Sequence, residues 1–287
     1  MIQRTITGII FGAVMLGGVF GGKNSFFALF ALVTAGCLWE LTGLVFKNDQ
    51  HDRLRRITGT AWGTSVYLLL AGSSLGLLDG AFSFYGIVMT VLTAPVFLAM
   101  ELFLHPEKPF ERAGYYLTGL LYISLPFSLL TCLSMPAGEF FGTGNYDPWR
   151  VFGLLLLIWS NDSWAYVFGS RFGKNKLYER ISPGKTWEGF IGGGILALLT
   201  AWGLSFVIDS YTPAQWLALA TTAVIFGTIG DLVESMLKRS LEIKDSGSLL
   251  PGHGGLLDRF DAFVFAIPFY WLVLVLLSHF QHTGAIV

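Results

Sequence analysis

Two pairs of acids, Asp231 with Glu234 and Asp258 with Asp261, are each spaced three residues apart, and the glycine-rich stretch SGSLLPGHGG lies between them. Three-residue spacing puts each pair on one face of a helix. Carboxylates gathered in this way repel one another unless cations neutralise them, which argues for a bound divalent ion. The donors are all oxygen, favouring Mg²⁺ or a similar hard ion, and no Cys and His cluster with zinc spacing exists. Gly247, Gly252, Gly254 and Gly255 supply backbone freedom and N–H groups that can approach a phosphate closely. Lys238, Arg239, Lys244 and Arg259 add positive charge, and His253 either contacts phosphate or orders the loop. Metal-binding acids, a glycine loop and bases together suit a polyphosphate, whose chemistry is mostly positioning and charge neutralisation. Ten of the 37 charged residues fall between Asp231 and Asp261.

Further polar groups lie elsewhere in apolar surroundings. Asp162 stands in WSNDSWAYVFGSRFG with Ser160, Asn161 and Ser163, a polar group suited either to a ligand or metal or to hydrogen bonding between helices. Glu40 and Glu101 could each pair with a loop arginine. A second polar insert, RFGKNKLYERISPGKTWEG, ends in SPGKT. A Walker loop is excluded, because its first glycine would have to replace Glu179 and no strand is expected ahead of it. Lys185 and Thr186 can still bind phosphate near a helix N-terminus.

The elements that must hold these residues are membrane helices. Hydrophobic residues make up 53% of the chain and charged residues 13%, with a mean hydropathy of +0.62, whereas soluble domains carry about 25% charged residues. A span needs about 20 apolar residues. Nine segments qualify, near residues 5–22, 25–46, 57–78, 82–104, 113–134, 149–170, 187–208, 213–232 and 263–280. The expected fold is therefore an all-α polytopic membrane protein, a single domain over 1–287. Five helices occupy 1–134 and four occupy 149–280, with cytoplasmic loops 171–186 and 235–260. With the N-terminus inside and the C-terminus outside, 16 of the 18 Lys and Arg residues fall on the cytoplasmic side, leaving Lys23 and Arg150 outside. Gly8 with Gly12, Gly17 with Gly21 and Gly189 with Gly193 read as helix-packing pairs. Cys37 and Cys132 read as buried thiols.

Ser235, Lys238, Arg239, Lys244, Asp245, Gly247, Pro251, His253, Gly254, Gly255, Asp258, Arg259 and Asp261 form a pattern that resembles the signature of the CDP-diacylglycerol synthases, or phosphatidate cytidylyltransferases. Ser182 to Gly189 and the Asn161 to Tyr166 stretch are similar to that family too. The motif resemblance covers about residues 160 to 263. It implies transfer of the cytidylyl group of CTP to phosphatidic acid at a bacterial inner membrane, giving CDP-diacylglycerol and pyrophosphate. It further implies Mg²⁺, as a pair or together with K⁺, and a homodimer. Asp231 and Asp258 would be the principal metal ligands, with Asp162 nearby. Lys238, Arg239, Lys244, Asp245, His253, Arg259 and Asp261 would be catalytic; Asn161, Ser182, Lys185, Thr186, Glu188, Ser235, Gly254 and Gly255 would bind substrate. No nucleic acid is expected as a partner. Two rivals remain: another CTP-dependent membrane lipid transferase or lipid-alcohol kinase, and a transporter. The polar groups cluster on one side and no inverted repeats appear, which weighs against the transporter.

Overall fold

The computed structural model describes residues 2–47, 51–104, 108–135, 145–247, 249 and 254–282. The chain divides into two compact units, one of Met1–Met135, Glu139–Tyr146 and Asp245–Asp258, the other of Pro136–Gly138, Asp147–Lys244 and Arg259–Val287. All nine expected segments are helical. Among the described residues seven helical stretches are long and apolar enough, by length and composition, to cross a membrane, against the nine expected. The remaining two are α1 (Ile2–Phe20), whose apolar part Thr5–Phe20 is short, and α3 (Asp52–Ser74), which begins with charged residues and carries Thr58, Thr60 and Thr64 along its length. The protein is an integral membrane protein built almost wholly of helices.

The first unit holds α1, α2 (Lys23–Val45), α3, α4 (Gly80–Leu92), α5 (Ala94–Leu104), α6 (Pro109–Gly119) and α7 (Leu125–Leu133). The expected span over 82–104 is two helices broken at Thr93. Pro95 explains the break, since it has no N–H to offer and its ring crowds the preceding turn. Pro126 has a similar effect between α6 and α7, where the wider π turn Leu120–Ser124 accommodates it. Phe46, Trp62 and Tyr116 form a buried aromatic cluster with Phe97 packed against it. Beside them Arg55 donates to Glu101 at 2.8 and 2.7 Å, both side chains being fully buried. Glu101 thus finds an arginine partner as expected, although Arg55 stands in the first turn of α3 and not in a loop.

The second unit holds α8 (Pro148–Phe172), the strands β1 (Lys176–Tyr178) and β2 (Ser182–Thr186), α9 (Trp187–Leu204) and α10 (Pro213–Ser240). It also holds most of α11 (Leu257–His282), whose first two residues belong to the first unit. The antiparallel β1–β2 hairpin corrects the expectation that no strand precedes Lys185, for SPGKT is itself a strand. It runs straight into α9 with no intervening glycine loop, so a Walker loop stays excluded. Small residues let α8 and α9 approach closely. A Cβ at Gly189 would lie 2.7 Å from the Ala165 carbonyl, and one at Gly193 would lie 2.7 Å from the Asn161 carbonyl. The expected pairs in α1 behave differently: Gly12 and Gly17 face open space, and Gly18 packs on Leu29 instead. No disulfide forms; Cys37 is buried and Cys132 half-buried.

Candidate functional site

In the second unit the polar residues of four elements meet. α10 ends with Lys238 and Arg239 in its last turn, where cations offset the helix dipole. One turn and more earlier on the same helix, Asp231 accepts from the Ser235 hydroxyl at 3.3 Å and pairs with Lys185 of β2 at 2.6 Å. Glu234, buried, pairs with Lys238 at 2.6 Å. Asp162 of α8 lies within electrostatic range of Asp231 and Lys185, and Asn161, buried, donates to it at 3.5 Å. Asp261 of α11 interacts electrostatically with Asp231, Asp162 and Lys238. Sequence positions 162, 185, 231, 238 and 261 are thereby gathered into one neighbourhood of alternating charge. Ser160, from the same polar run, instead bonds Thr200 across α8 and α9 at 2.9 Å.

The hairpin is placed by several ties. Thr186 caps α9, its hydroxyl accepting from the Gly189 N–H at 3.2 Å. Glu188 accepts from the backbone N–H of Lys174 at 3.1 Å and from the Asn175 side chain at 2.7 Å, so it organises the turn before β1. Lys176 donates to the Pro183 carbonyl at 2.7 Å, and Arg239 to that of Ile181 at 3.4 Å. Ser182 pairs opposite Tyr178 in the ladder. The outcome is a lysine, Lys185, delivered to a helix-borne carboxylate by a short strand.

In the first unit two carboxylates gather donors from Ser246, Gly255 and Leu257 of the signature segment. Asp258 Oδ2 accepts from the backbone N–H groups of Ser246 at 2.9 Å and Gly255 at 2.7 Å, closing the segment on itself. Glu40 Oε2, from α2, accepts from the Leu257 N–H at 2.8 Å and the Ser246 hydroxyl at 3.3 Å. Gly254 has φ of +81°, a conformation natural to glycine, and a Cβ there would meet Asp258 Oδ2 at 2.7 Å. Gly247 packs tightly on Glu40, and Gly255 on the Ser246 hydroxyl and Glu40 together, so neither has room for a side chain. The N–H of Gly255 is thus engaged by Asp258. Lys244, Asp245 and Arg259 are exposed. His253, together with Pro251 and Gly252, lies outside the described residues.

Reasoning from sequence missed the partners of Glu40. In place of the expected loop arginine, Glu40 takes the Ser246 hydroxyl and the Leu257 N–H, and a link to residues more than 200 positions away leaves no local trace. Among the described residues no group of three His, Cys, Asp or Glu is arranged to hold a metal ion. The donor set nonetheless suits Mg²⁺, which prefers oxygen and is usually held by one or two carboxylates completed by substrate phosphates and water. Asp231, with Asp162 and Asp261 in range, offers that kind of partial shell.

The Cytidylyltransferase family model matches residues 2–277. The phosphatidate cytidylyltransferase of Bacillus subtilis (strain 168) is 35% identical over 281 residues, covering 97% of this chain and 99% of that protein. Those of Staphylococcus haemolyticus (strain JCSC1435) and Staphylococcus aureus (strain COL) are 40% and 38% identical over 168 residues, covering 58% of this chain and 60% of each relative. A match that runs through both units, over helices, hairpin and signature segment alike, leaves one conclusion: the chain belongs to the cytidylyltransferase family.

Proposed function

We propose that Lys185, Asp231, Asp162, Asp261 and Lys238 form the phosphate-handling part of a phosphatidate cytidylyltransferase site. The protein is a membrane nucleotidyltransferase of phospholipid biosynthesis, joining CTP and phosphatidate to give CDP-diacylglycerol and pyrophosphate. The observation that carries the assignment of the site is the Lys185 to Asp231 pair at 2.6 Å, with two further acids in electrostatic range. An ammonium held by a carboxylate is positioned in advance, and it can turn to an incoming phosphate without first being ordered.

The chemistry asks little proton transfer of the protein. Phosphatidate already carries an anionic phosphate oxygen, so no strong base is needed to create the nucleophile. That oxygen bonds to the α-phosphorus of CTP while the bond from the α-phosphorus to the bridging oxygen breaks, and pyrophosphate departs with the electron pair. What the residues must do is hold two anions together, and Lys185, Lys238 and Arg239 supply the positive charge. Asp231, with Asp162 and Asp261, would hold Mg²⁺, which when bound neutralises the triphosphate. Asp258, the other metal ligand expected from the family resemblance, meanwhile closes the signature segment through Oδ2. Ser235 fixes the orientation of Asp231, and Thr186 that of the strand end carrying Lys185.

The cytoplasmic membrane of a bacterium is the location we infer, with the site facing the cytoplasm. The support is the count of 16 of 18 Lys and Arg residues on that side of the spans. A homodimer is proposed on family resemblance alone. The test is to incubate the purified protein with labelled CTP, phosphatidate and Mg²⁺. A nucleotide-linked lipid and free pyrophosphate are expected; release of CDP with a phosphorylated lipid would overturn the reaction and favour a kinase.

A further inference from the structure

We propose that Glu40 is a positioning residue for the reaction: from α2, far outside the signature, it ties Ser246 to Leu257 and so sets where the neighbouring Gly255 and Asp258 stand. This rests on the cytidylyl-transfer function proposed above. Leu257 is the first residue of α11, and its N–H is one of the donors that a helix start leaves without a partner inside the helix. Glu40 Oε2 accepts it at 2.8 Å, with its charge at the positive end of the helix. The same oxygen takes the Ser246 hydroxyl at 3.3 Å. One atom therefore joins the residue that enters the loop to the residue that leaves it. Asp258 does likewise through the backbone of Ser246 and Gly255, so the two ends are closed by two separate carboxylates.

Two independent observations single out Glu40 from an ordinary buried acid. It is 6% exposed, and in so dry a setting a charge-assisted hydrogen bond is stronger than at the surface. In addition, a Cβ at Gly247 would run into the Glu40 carboxylate, and one at Gly255 would meet Glu40 Oε2 at 2.5 Å, just behind the Ser246 hydroxyl that Glu40 holds. The glycines that were expected to admit a phosphate are, at these two positions, shaped around a glutamate 207 and 215 residues earlier in the chain. Loop and clamp fit as one part. The other carboxylate oxygen, Oε1, has no hydrogen-bond partner among the described residues, so the clamping is done by Oε2.

The test uses full-length protein in lipid nanodiscs with three variants, Glu40→Ala, Glu40→Gln and Ser246→Ala. Hydrogen exchange is followed in peptides covering Ser246, Gly255 and Leu257, alongside kcat and KM for CTP. Glu40→Ala should speed exchange in those peptides about tenfold or more while α3 stays protected. It should lower kcat about 100-fold, as a displacement of about 1 Å does, with KM changed less than about threefold. Glu40→Gln keeps an oxygen acceptor in place and should retain both the protection and most of the turnover. Should Glu40→Ala fail to fold, Ser246→Ala decides: it removes one anchor and should still speed exchange around Ser246. Unchanged exchange in both variants would overturn the proposal. A protected but inactive Glu40→Gln would also overturn it, because the charge itself would then act on the reactants. A wild-type protein inactive with CTP and phosphatidate would instead sink the reaction assignment, while the exchange data still report on the clamp.

Discussion

Lys185→Met is the most informative single change. Lys185 and Asp231 are joined at 2.6 Å, with their side chains 25% and 35% exposed. Removing one preorganised donor to an anionic transition state costs about 10²–10³ in kcat, equivalent to about 2.7–4 kcal/mol. The same lysine also holds Asp231. A hydrogen bond to a charged group contributes about 1.5–3 kcal/mol, and partial exposure to solvent places this one at the lower end. The two residues should therefore be coupled by about 1.5 kcal/mol, close to a tenfold factor in rate. In a cycle of Lys185→Met, Asp231→Asn and the double variant, each single change loses the pair, but the double loses it only once. The double variant should be about tenfold more active than the product of the two single losses predicts. The assay is release of pyrophosphate with saturating CTP and Mg²⁺, with thermal melting as the check that each variant is folded. A Lys185→Met enzyme within fivefold of wild type, or losses that multiply without coupling, would refute the role given to the pair.

Other changes probe other parts of the molecule. Glu101→Ala strands the Arg55 charge in a fully buried site, which should cost about 3–5 kcal/mol and lower the melting temperature in detergent by about 10 °C. Replacing both partners by Met and Leu should recover most of that loss, since the uncompensated charge is then gone. Thr186→Ala removes the cap of α9 and should cost about 1 kcal/mol; Thr186→Ser should restore both stability and turnover, measured side by side. Chelation with EDTA should abolish turnover and Mg²⁺ should restore it, whereas full activity after exhaustive chelation would exclude metal-assisted transfer.

Much of the site is visible in one dimension because its physics is local. Charges are costly in a bilayer, so the acids and bases between Asp231 and Asp261 stand out against apolar neighbours. Helical spacing places Asp231, Glu234 and Lys238 near one another, and the structure bears this out in the Lys238 to Glu234 pair. The long apolar runs announce membrane helices for the same reason. Local breaks were harder to see: Pro95 and Pro126 interrupt runs that composition alone would leave continuous, and β2 takes a segment that was expected to be a helix-leading loop.

Sequence by itself determined the solvent, the helices and the chemical types of the reacting groups, because hydropathy, spacing and charge are properties of neighbouring residues. Tertiary structure alone decided which distant groups share a partner. Lys185 meets Asp231 because a hairpin carries it there, and Glu40 meets Leu257 because α2 packs against the signature segment. Such pairings depend on how helices pack in three dimensions, and packing sums many weak contacts that no single stretch of residues encodes.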